Sequence, residues 1–262
     1  GSEMCIRDRF TGKLIWLAEK IVPVLPEENQ QMEDRSLVYM TQLTKVPAPV
    51  ALRQTQREIT RMGHIAADNL QRALDCFFHY NSAKAASVRS HEESVNILNH
   101  LIADAMVDLR SLDLSPENMR RVSMMTIAVT DIERLSDHAE NIVEYIEQMN
   151  TKKAEMSDAA RKELIDMSKD AMDAVYMALD IFEKDDYNKL DQIEILEQHV
   201  DDHEKDLINN HIERIMNSLC NPLSAVIFSD LVTDLERCSD HAINLAYALK
   251  ERPSEMDAPK II

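Results

Sequence analysis

A twelve-residue segment that occurs twice constrains this chain more than any other feature. Residues 130–141 read TDIERLSDHAEN and residues 233–244 read TDLERCSDHAIN, so nine of the twelve positions are identical at an offset of 103. Neither copy contains glycine or proline, so each is predicted to lie in the interior of a helix. The identical positions are mostly polar, whereas the apolar positions vary. A repeat kept for packing alone would keep its apolar residues, so the polar residues indicate a site.

Each copy carries two carboxylates at a spacing of four, Glu133 with Asp137 and Glu236 with Asp240. On a helix this spacing places both carboxylates on one face, about 6 Å apart along the axis. Like charges at this spacing repel each other, so a positive partner is expected over them. Oxygen-rich clusters on the helices of a bundle suit Mg²⁺, Mn²⁺ or iron. The sequence therefore predicts metal ligands at these four residues.

The basic neighbours of the acids offer a second interpretation, in which they neutralise the carboxylates in a surface network. Arg134 and His138 stand beside the acids of the first copy, and Arg237 and His241 beside those of the second. Each histidine lies about 100° round the helix from the preceding aspartate, which favours a hydrogen-bonding or orienting role over metal ligation. The arginines favour interhelical salt bridges, with binding of an anion such as phosphate as the alternative.

Other polar residues add little evidence for a reaction. Glu92 and Glu197 are candidate extra ligands because they occupy matching positions one helix earlier. His199 and His203 have the spacing of zinc proteases but lack the glutamate of that motif, and they have no counterpart in the first half. The sequence favours a protein that is not an enzyme. A metal-dependent phosphoesterase is the alternative, because bridging metals can activate water.

Composition limits the fold class and the partners. Only three glycines occur in 262 residues, and helix-favouring residues are abundant, so the chain is predicted to be all-α. The formal net charge of −18 opposes binding to nucleic acid. The four cysteines show no close spacing and indicate neither a disulfide framework nor a zinc site. No apolar run approaches the roughly 20 residues that span a bilayer, so a soluble, cytoplasmic chain is expected.

Helical patterns recur at an offset of 105 before the duplicated segment. They predict a first helix over about 51–79, a second over about 84–112, and a third from Pro116 to about residue 150. The fold is therefore predicted to be two tandem three-helix bundles, over residues 51–150 and 151–262, the second with a short tail. The offset falls from 105 to 103 between the second and third helices, which predicts a small deletion at their connection.

Residues 1–50 are predicted to form a separate N-terminal segment. Residues 10–25 combine Trp16 and aliphatic residues with lysines. This pattern is typical of an amphipathic helix at the rim of a membrane, or of a helix that packs on its own domain. Residues 27–50, which contain Pro47 and Pro49, are predicted to be an extended connector.

The two repeats, each with Glu-Arg-x-x-Asp-His-Ala-x-Asn on its third helix, resemble the PhoU family of phosphate-uptake regulators. The resemblance covers about residues 55–250. It implies two three-helix bundles side by side and frequent homodimers. It also implies multinuclear or divalent metal (iron, manganese, magnesium or zinc) at Glu133, Asp137, Glu236 and Asp240.

The amphipathic segment, the acidic linker at residues 26–28 and the lead-in at residues 37–39 further resemble bacterial sodium/phosphate cotransporters. In those proteins a membrane domain precedes a cytosolic PhoU-like domain. This resemblance implies a metal-binding regulatory domain that controls phosphate uptake at the inner face of the cell membrane. Its partner would be a transporter domain, in the same polypeptide or separate. The alternative is a free-standing PhoU-type regulator of a phosphate ABC transporter and its signalling kinase.

Overall fold

Six long α-helices form the computed structural model, which describes residues 34–40 and 42–250. The helices are α1 Ala48–Phe78, α2 Ser82–Arg110, α3 Pro116–Lys152, α4 Asp158–Lys184, α5 Leu190–Met216 and α6 Pro222–Tyr247, with 3₁₀ turns at Leu43–Lys45 and Tyr187–Lys189. No strand occurs in these residues, which confirms the all-α prediction. None of the described helices is long and apolar enough to cross a bilayer.

The helices begin and end where the local sequence supplies caps. The Asn81 side chain accepts hydrogen bonds from two amides of the first turn of α2, at 2.9 and 3.2 Å. Ser115 and Ser157 cap α3 and α4 in the same way. Lys153 and Asp185 end these two helices in the left-handed conformation, with φ of 52° and 54°. These caps satisfy backbone groups that helix ends leave without intrahelical partners.

Each set of three helices forms one bundle, and the two bundles meet through their first and third helices. Helix α2 packs on α1 and α3, and α5 packs on α4 and α6, while α1 contacts α4 and α3 contacts α6 across the boundary. Residues at spacings of three and four form a buried stripe on the inner face of α3: Val122, Met125, Val129, Ile132, Ser136, Ala139, Val143 and Ile146. The predicted pair of three-helix bundles is therefore confirmed.

Gly63 lies where α1 of the first bundle meets α4 of the second. A Cβ atom at this position would overlap Cδ2 of Leu179 on α4 and lie 3.3 Å from Cδ1 of Ile132 on α3. Since glycine has no side chain, α1 can approach both helices here.

The change of offset between the repeats has a different origin from the predicted deletion at a connection. The connections at residues 111–115 and 217–221 have equal length. Helix α3 begins 14 residues before Thr130, whereas α6 begins 11 residues before Thr233. The prediction about the connection is wrong, because α3 has three extra residues at its start, nearly one helical turn, while α5 is one residue longer than α2 after the matching Glu197 and Glu92.

The lead-in before α1 packs on the helices, so the prediction of an extended connector is wrong for its described part. Met40 and Leu43 are buried in the core. The buried carboxylate of Glu58 accepts hydrogen bonds from the backbone amides of Val38 and Tyr39, at 2.8 and 2.5 Å. The amphipathic stretch predicted at residues 10–25 lies outside the described residues.

Candidate metal clusters and the contact between the repeats

The two duplicated segments meet each other across the boundary between the bundles. Nδ1 of His138 on α3 lies 2.9 Å from Oδ1 of Asp234 on α6, and Nδ1 of His241 lies 3.0 Å from Oδ1 of Asp131. The two imidazole centroids are 5.7 Å apart. Because an ionised carboxylate only accepts hydrogen bonds, Nδ1 of each histidine is the donor. The histidines are hydrogen-bonding partners, as predicted.

Sequence reasoning missed the two aspartates that complete these bonds. Asp131 and Asp234 are 8% and 7% exposed and are identical between the copies. Each lies seven residues before the histidine of its own copy, so aspartate and histidine share one face of the helix, two turns apart. When two such faces meet in antiparallel orientation, each histidine reaches the aspartate of the other repeat. The spacing of seven residues was the sequence signal that could have indicated this pairing.

The crossed pairs are not equivalent. The Tyr145 hydroxyl donates a 2.8 Å hydrogen bond to Oδ2 of Asp234. At the matching position of the second repeat stands Ala248, and Oδ2 of Asp131 is buried without a hydrogen-bond partner. Burial and the bond to Asp234 raise the pKa of the Tyr145 hydroxyl well above its usual range. The tyrosine is therefore a neutral donor at physiological pH.

The first acid pair lies on a more exposed flank of α3. The side chains of Glu133 and Asp137 are 22% and 34% exposed. Nη1 of Arg134 lies 2.9 Å from Oδ2 of Asp137, and Nε lies 3.9 Å from Oε2 of Glu133. The prediction of an interhelical salt bridge is wrong for Arg134, since its partners belong to the same helix. Burial and repulsion from Asp137 nevertheless raise the pKa of Glu133.

Glu92 on α2 joins the electrostatic environment of this pair. It is buried and accepts a hydrogen bond from Asn96. Burial raises the pKa of Glu92, with repulsion from Glu140 next and from Asp137 also contributing. Helix α2 thus adds a further carboxylate to the acidic face of α3.

The second acid pair carries less compensated negative charge. Burial, followed by repulsion from Asp240, Glu204 and Asp201, raises the pKa of Glu236 to about 7. In the described part of the chain, the ion pair of Arg134 with Asp137 has no counterpart between Arg237 and Asp240. Arg237 lowers this pKa only in part, so burial and the acidic neighbours leave about half of the Glu236 carboxyl groups protonated near neutral pH.

The donor chemistry of both clusters fits a hard cation. Carboxylate oxygens are the ligands that Mg²⁺, Mn²⁺ and iron accept, and a cation would relieve the repulsion that raises the pKa values of Glu133 and Glu236. Within residues 34–40 and 42–250, no three His, Cys, Asp or Glu side chains converge closely enough to form a finished metal site. Binding would require the carboxylates to turn toward one another.

The other histidines do not form a second cluster. Nδ1 of His203 on α5 lies 3.1 Å from Oδ2 of Asp170 on α4, while the side chain of His199 is exposed. The two imidazoles therefore lie in different environments and do not form a shared set of metal ligands. Among the described residues, Cys76, Cys220 and Cys238 are free thiols.

The fold and the acid pairs define a class: duplicated three-helix-bundle proteins with a carboxylate-rich motif on each third helix. The family model that describes the PhoU domain matches residues 59–146 and 164–249. This chain belongs to the PhoU family.

Two relatives of known family support the same assignment. The chain is 24% identical over 189 residues to a "Phosphate-specific transport system accessory protein PhoU homolog" of Xylella fastidiosa, covering 72% of this chain and 79% of the relative. It is 23% identical to PhoU homolog 1 of Thermotoga maritima, with 72% and 81% covered.

Solved structures show the same fold. The crystal structure of PhoU from Pseudomonas aeruginosa superposes with a TM-score of 0.70 at 20% identity, covering 76% of this chain and 94% of that one. The phosphate transport system regulatory protein PhoU from Streptococcus pneumoniae gives a TM-score of 0.69 at 17% identity, with 78% and 95% covered. The duplicated bundle is therefore an architecture that this chain shares with both proteins.

Proposed function

We propose that this chain is a non-enzymatic regulator of phosphate transport whose two acidic clusters bind metal ions. Membership of the PhoU family and the names of the relatives support the regulatory role. The observation that carries the metal proposal is the gathering of Asp240, Glu204 and Asp201 around the half-buried Glu236, whose pKa is raised by burial first and by these acids next. A cation at this position would offset their mutual repulsion.

The metal would be held by Glu133 and Asp137 in the first repeat and by Glu236 and Asp240 in the second. Glu92 and Glu197 are the candidate additional ligands from the neighbouring helices. Iron, manganese, magnesium and zinc are the candidate ions. A bound metal would supply fixed positive charge, so that α2 and α3, or α5 and α6, are held together where carboxylates otherwise repel each other.

The partner of this chain is proposed to be a phosphate transporter. The relatives are named as accessory proteins of phosphate-specific transport systems, which favours a free-standing regulator acting on a separate transporter and its signalling kinase. The cytosolic domain of a sodium/phosphate cotransporter is the second form of the proposal. The lead-in favours this form. Its hydrogen bonds to Glu58 fix the point at which the preceding chain reaches α1. Both forms place the chain at the inner face of the cell membrane, and a homodimer is part of the proposal.

Elemental analysis of matched double variants tests metal binding. Glu236→Ala with Asp240→Ala is expected to remove the metal of the second cluster, and Glu133→Ala with Asp137→Ala that of the first. Asp166→Ala with Asp173→Ala removes two exposed acids of α4 outside both clusters and should leave the metal content unchanged. Unaltered metal content in both cluster variants, with helical circular dichroism retained, would overturn the metal proposal.

Two further measurements separate regulation from catalysis. If the chain regulates uptake, its expression in cells that lack their own regulator should change the rate of phosphate import, and the double variants should weaken that change. If the chain is instead a metal-dependent phosphoesterase, the metal-loaded protein should hydrolyse a generic phosphate ester, and Glu236→Ala should abolish turnover. Hydrolysis above background would therefore contradict the non-enzymatic proposal.

A further inference from the structure

A small cavity opens at one end of the second bundle, outside both acid clusters. The centre of a water-sized sphere can move through about 20 Å³ of it, and it is open to solvent. Its walls come from the first turns of α4 and α6 and from the last turn of α5, and they include Ser157, Ala160, His211, Arg214, Cys220 and Ser224. Ser224 lies 12 residues before Glu236 on α6, about 18 Å along the helix axis. The cavity is therefore a separate place in the fold.

Arg214 brings unused hydrogen-bond donors to this cavity. Only Nη1 pairs with Glu163, at 3.0 Å from one carboxylate oxygen and 2.8 Å from the other. Nε and Nη2 of Arg214 are buried and have no hydrogen-bond partner. The hydrogens of Nε and Nη2 lie along one edge of the planar guanidinium group, and this edge matches two oxygens of an oxyanion.

His211 adds an unused acceptor. Its side chain is almost completely buried, and Nε2 lies 3.0 Å from the backbone oxygen of Ala225. Because a carbonyl oxygen only accepts, Nε2 carries the proton, and Nδ1 of the neutral ring is an acceptor. Nδ1 has no hydrogen-bond partner. Burial lowers the pKa of His211, so the ring is neutral at physiological pH.

Both side chains are held in place by Phe228. The imidazole of His211 stacks on the phenyl ring at a centroid distance of 4.5 Å, and Cζ of Arg214 lies 4.9 Å from the same centroid. The first turns of α4 and α6 also direct the positive ends of two helix dipoles toward the cavity walls. The donors and the acceptor are thus preorganised before any ligand enters.

The packing of the bundle does not require these polar residues. At the matching positions of the first repeat stand Met106 and Leu109, which are 3% and 0% exposed. The same bundle end is therefore completed with apolar side chains in the other half of the chain. A buried histidine and arginine with unpaired nitrogen atoms need a reason beyond folding.

We propose that this cavity binds a small oxyanion that carries a proton, with hydrogenphosphate as the ion that fits. Nε and Nη2 of Arg214 donate to two of its oxygens, and Nδ1 of His211 accepts from its hydroxyl group. Sulfate offers the oxygens but no hydroxyl hydrogen at neutral pH. The site therefore distinguishes the two ions, because a buried acceptor is left unpaired when the hydroxyl is missing. Glu163 offsets the charge of Arg214, so the dissociation constant is expected to be on the order of millimolar.

Isothermal titration of the metal-free protein with inorganic phosphate and with sodium sulfate at pH 7.5 tests the proposal. Phosphate is expected to bind at one site per chain, at least tenfold more tightly than sulfate. Arg214→Leu restores the residue of the first repeat and should weaken phosphate binding at least tenfold. His211→Met, the other residue of the first repeat, should retain weak anion binding but lose the preference for phosphate. The metal clusters are not involved, so Glu236→Ala with Asp240→Ala should bind phosphate like the unaltered chain.

A second substitution covers the case in which Arg214→Leu fails to fold. Arg214→Lys retains a positive charge for Glu163 but loses the two-donor edge, so it should also weaken phosphate binding. Three results would overturn the proposal: no saturable phosphate binding up to about 20 mM, roughly twenty times the expected dissociation constant, equal binding of phosphate and sulfate, or binding that survives Arg214→Lys. Loss of phosphate binding in the Glu236 and Asp240 variant would also overturn the proposal, because it would place the phosphate outside this cavity.

Discussion

His138 on α3 donates a 2.9 Å hydrogen bond to Asp234 on α6, so two residues of different repeats complete one buried pair. The reciprocal bond from His241 to Asp131, at 3.0 Å, makes the contact nearly symmetric. The identical polar residues of the duplicated segment therefore divide into two sets. Asp and His join the bundles, while the Glu and Asp of each acid pair face outward and remain available to a cation.

Removing Asp234 should destabilise the protein more than removing Asp131. Asp234 accepts from both His138 and Tyr145, whereas Asp131 accepts from His241 alone. We expect Asp234→Ala to lower the free energy of unfolding by about 2–4 kcal/mol and Asp131→Ala by about 1–2 kcal/mol, because unpaired buried donors are costly. Urea denaturation of the metal-free protein measures both losses.

The tyrosine provides the control for this comparison. Tyr145→Phe removes only the second donor to Asp234 and should cost about 1 kcal/mol. In the Tyr145→Phe background, Asp234→Ala and Asp131→Ala should lower the free energy of unfolding by nearly equal amounts. Equal losses in the presence of Tyr145 would contradict the asymmetry.

The metal-free protein should lose stability as the pH rises from about 4.5 to about 7. The pKa of Glu236 is raised from 4.5 to about 7 in the folded state, so folded protein holds a proton that the unfolded chain releases in this range. Stability falls wherever the folded state binds more protons, so the contribution is complete below pH 4.5 and is lost through pH 7. Thermal melting of the protein across this range should show the decline. Glu236→Gln should flatten it, and an unchanged slope would argue against the raised pKa.

Neutralising Arg134 should strengthen metal binding at the first cluster. Arg134 pairs with Asp137 at 2.9 Å, and a cation has to displace it. Exposed ion pairs of this kind contribute about 0–1 kcal/mol, so Arg134→Met is expected to raise the affinity about two- to fivefold. Arg237 has no such pair with Asp240 in the described structure, so Arg237→Met should change the metal affinity of the second cluster less. Manganese titration followed by paramagnetic relaxation measures both, and equal effects would count against competition by Arg134.

The helices and the repeat were predictable because their signals are local. Helix-favouring composition, the spacing of three and four along α3, and the proline at the first turn of each third helix all depend on residues close in sequence. The offset between the repeats then predicted the two bundles. The extra turn of α3 could have been predicted from the same prolines, because Pro116 lies 14 residues before Thr130 and Pro222 only 11 before Thr233.

The candidate site was only partly predictable, since pairing across the boundary depends on how two helices are oriented. Asp131 and His138 share a face of α3, but their true partners lie on α6. The partner of Arg134 was also misassigned, because a flexible arginine reaches the next turn of its own helix as easily as a neighbouring helix. The pair His211 and Arg214 breaks the repeat and so gave no duplicated signal.

The lead-in should detach when its acceptor is weakened. Glu58 is fully buried, accepts from the amides of Val38 and Tyr39, and is paired with Arg61 at 2.6 Å. Glu58→Gln removes the charge that strengthens these bonds, which are worth about 1.5–3 kcal/mol each when charge-assisted. Amide hydrogen exchange at Val38 and Tyr39 should accelerate at least tenfold, while the core of α3 should exchange as before. Glu163→Gln, the matching change in the second repeat, should leave these two amides unaffected, and slow exchange in Glu58→Gln would contradict the role of Glu58.

The close approach of α1 to α4 should depend on Gly63. A side chain at this position overlaps Leu179, which is fully buried, and presses on Ile132 of α3. Gly63→Val is therefore expected to lower the free energy of unfolding by about 1–3 kcal/mol, as overpacking of a core does. Gly63→Ala should have a smaller net effect, because only the terminal methyls of Leu179 and Ile132 have to move and alanine is about 1 kcal/mol better than glycine in a helix. Since the same boundary carries the crossed bonds, Gly63→Val should also perturb the imidazole NMR signals of His138 and His241. Unchanged stability and unchanged imidazole signals would mean that the two bundles can separate here without strain.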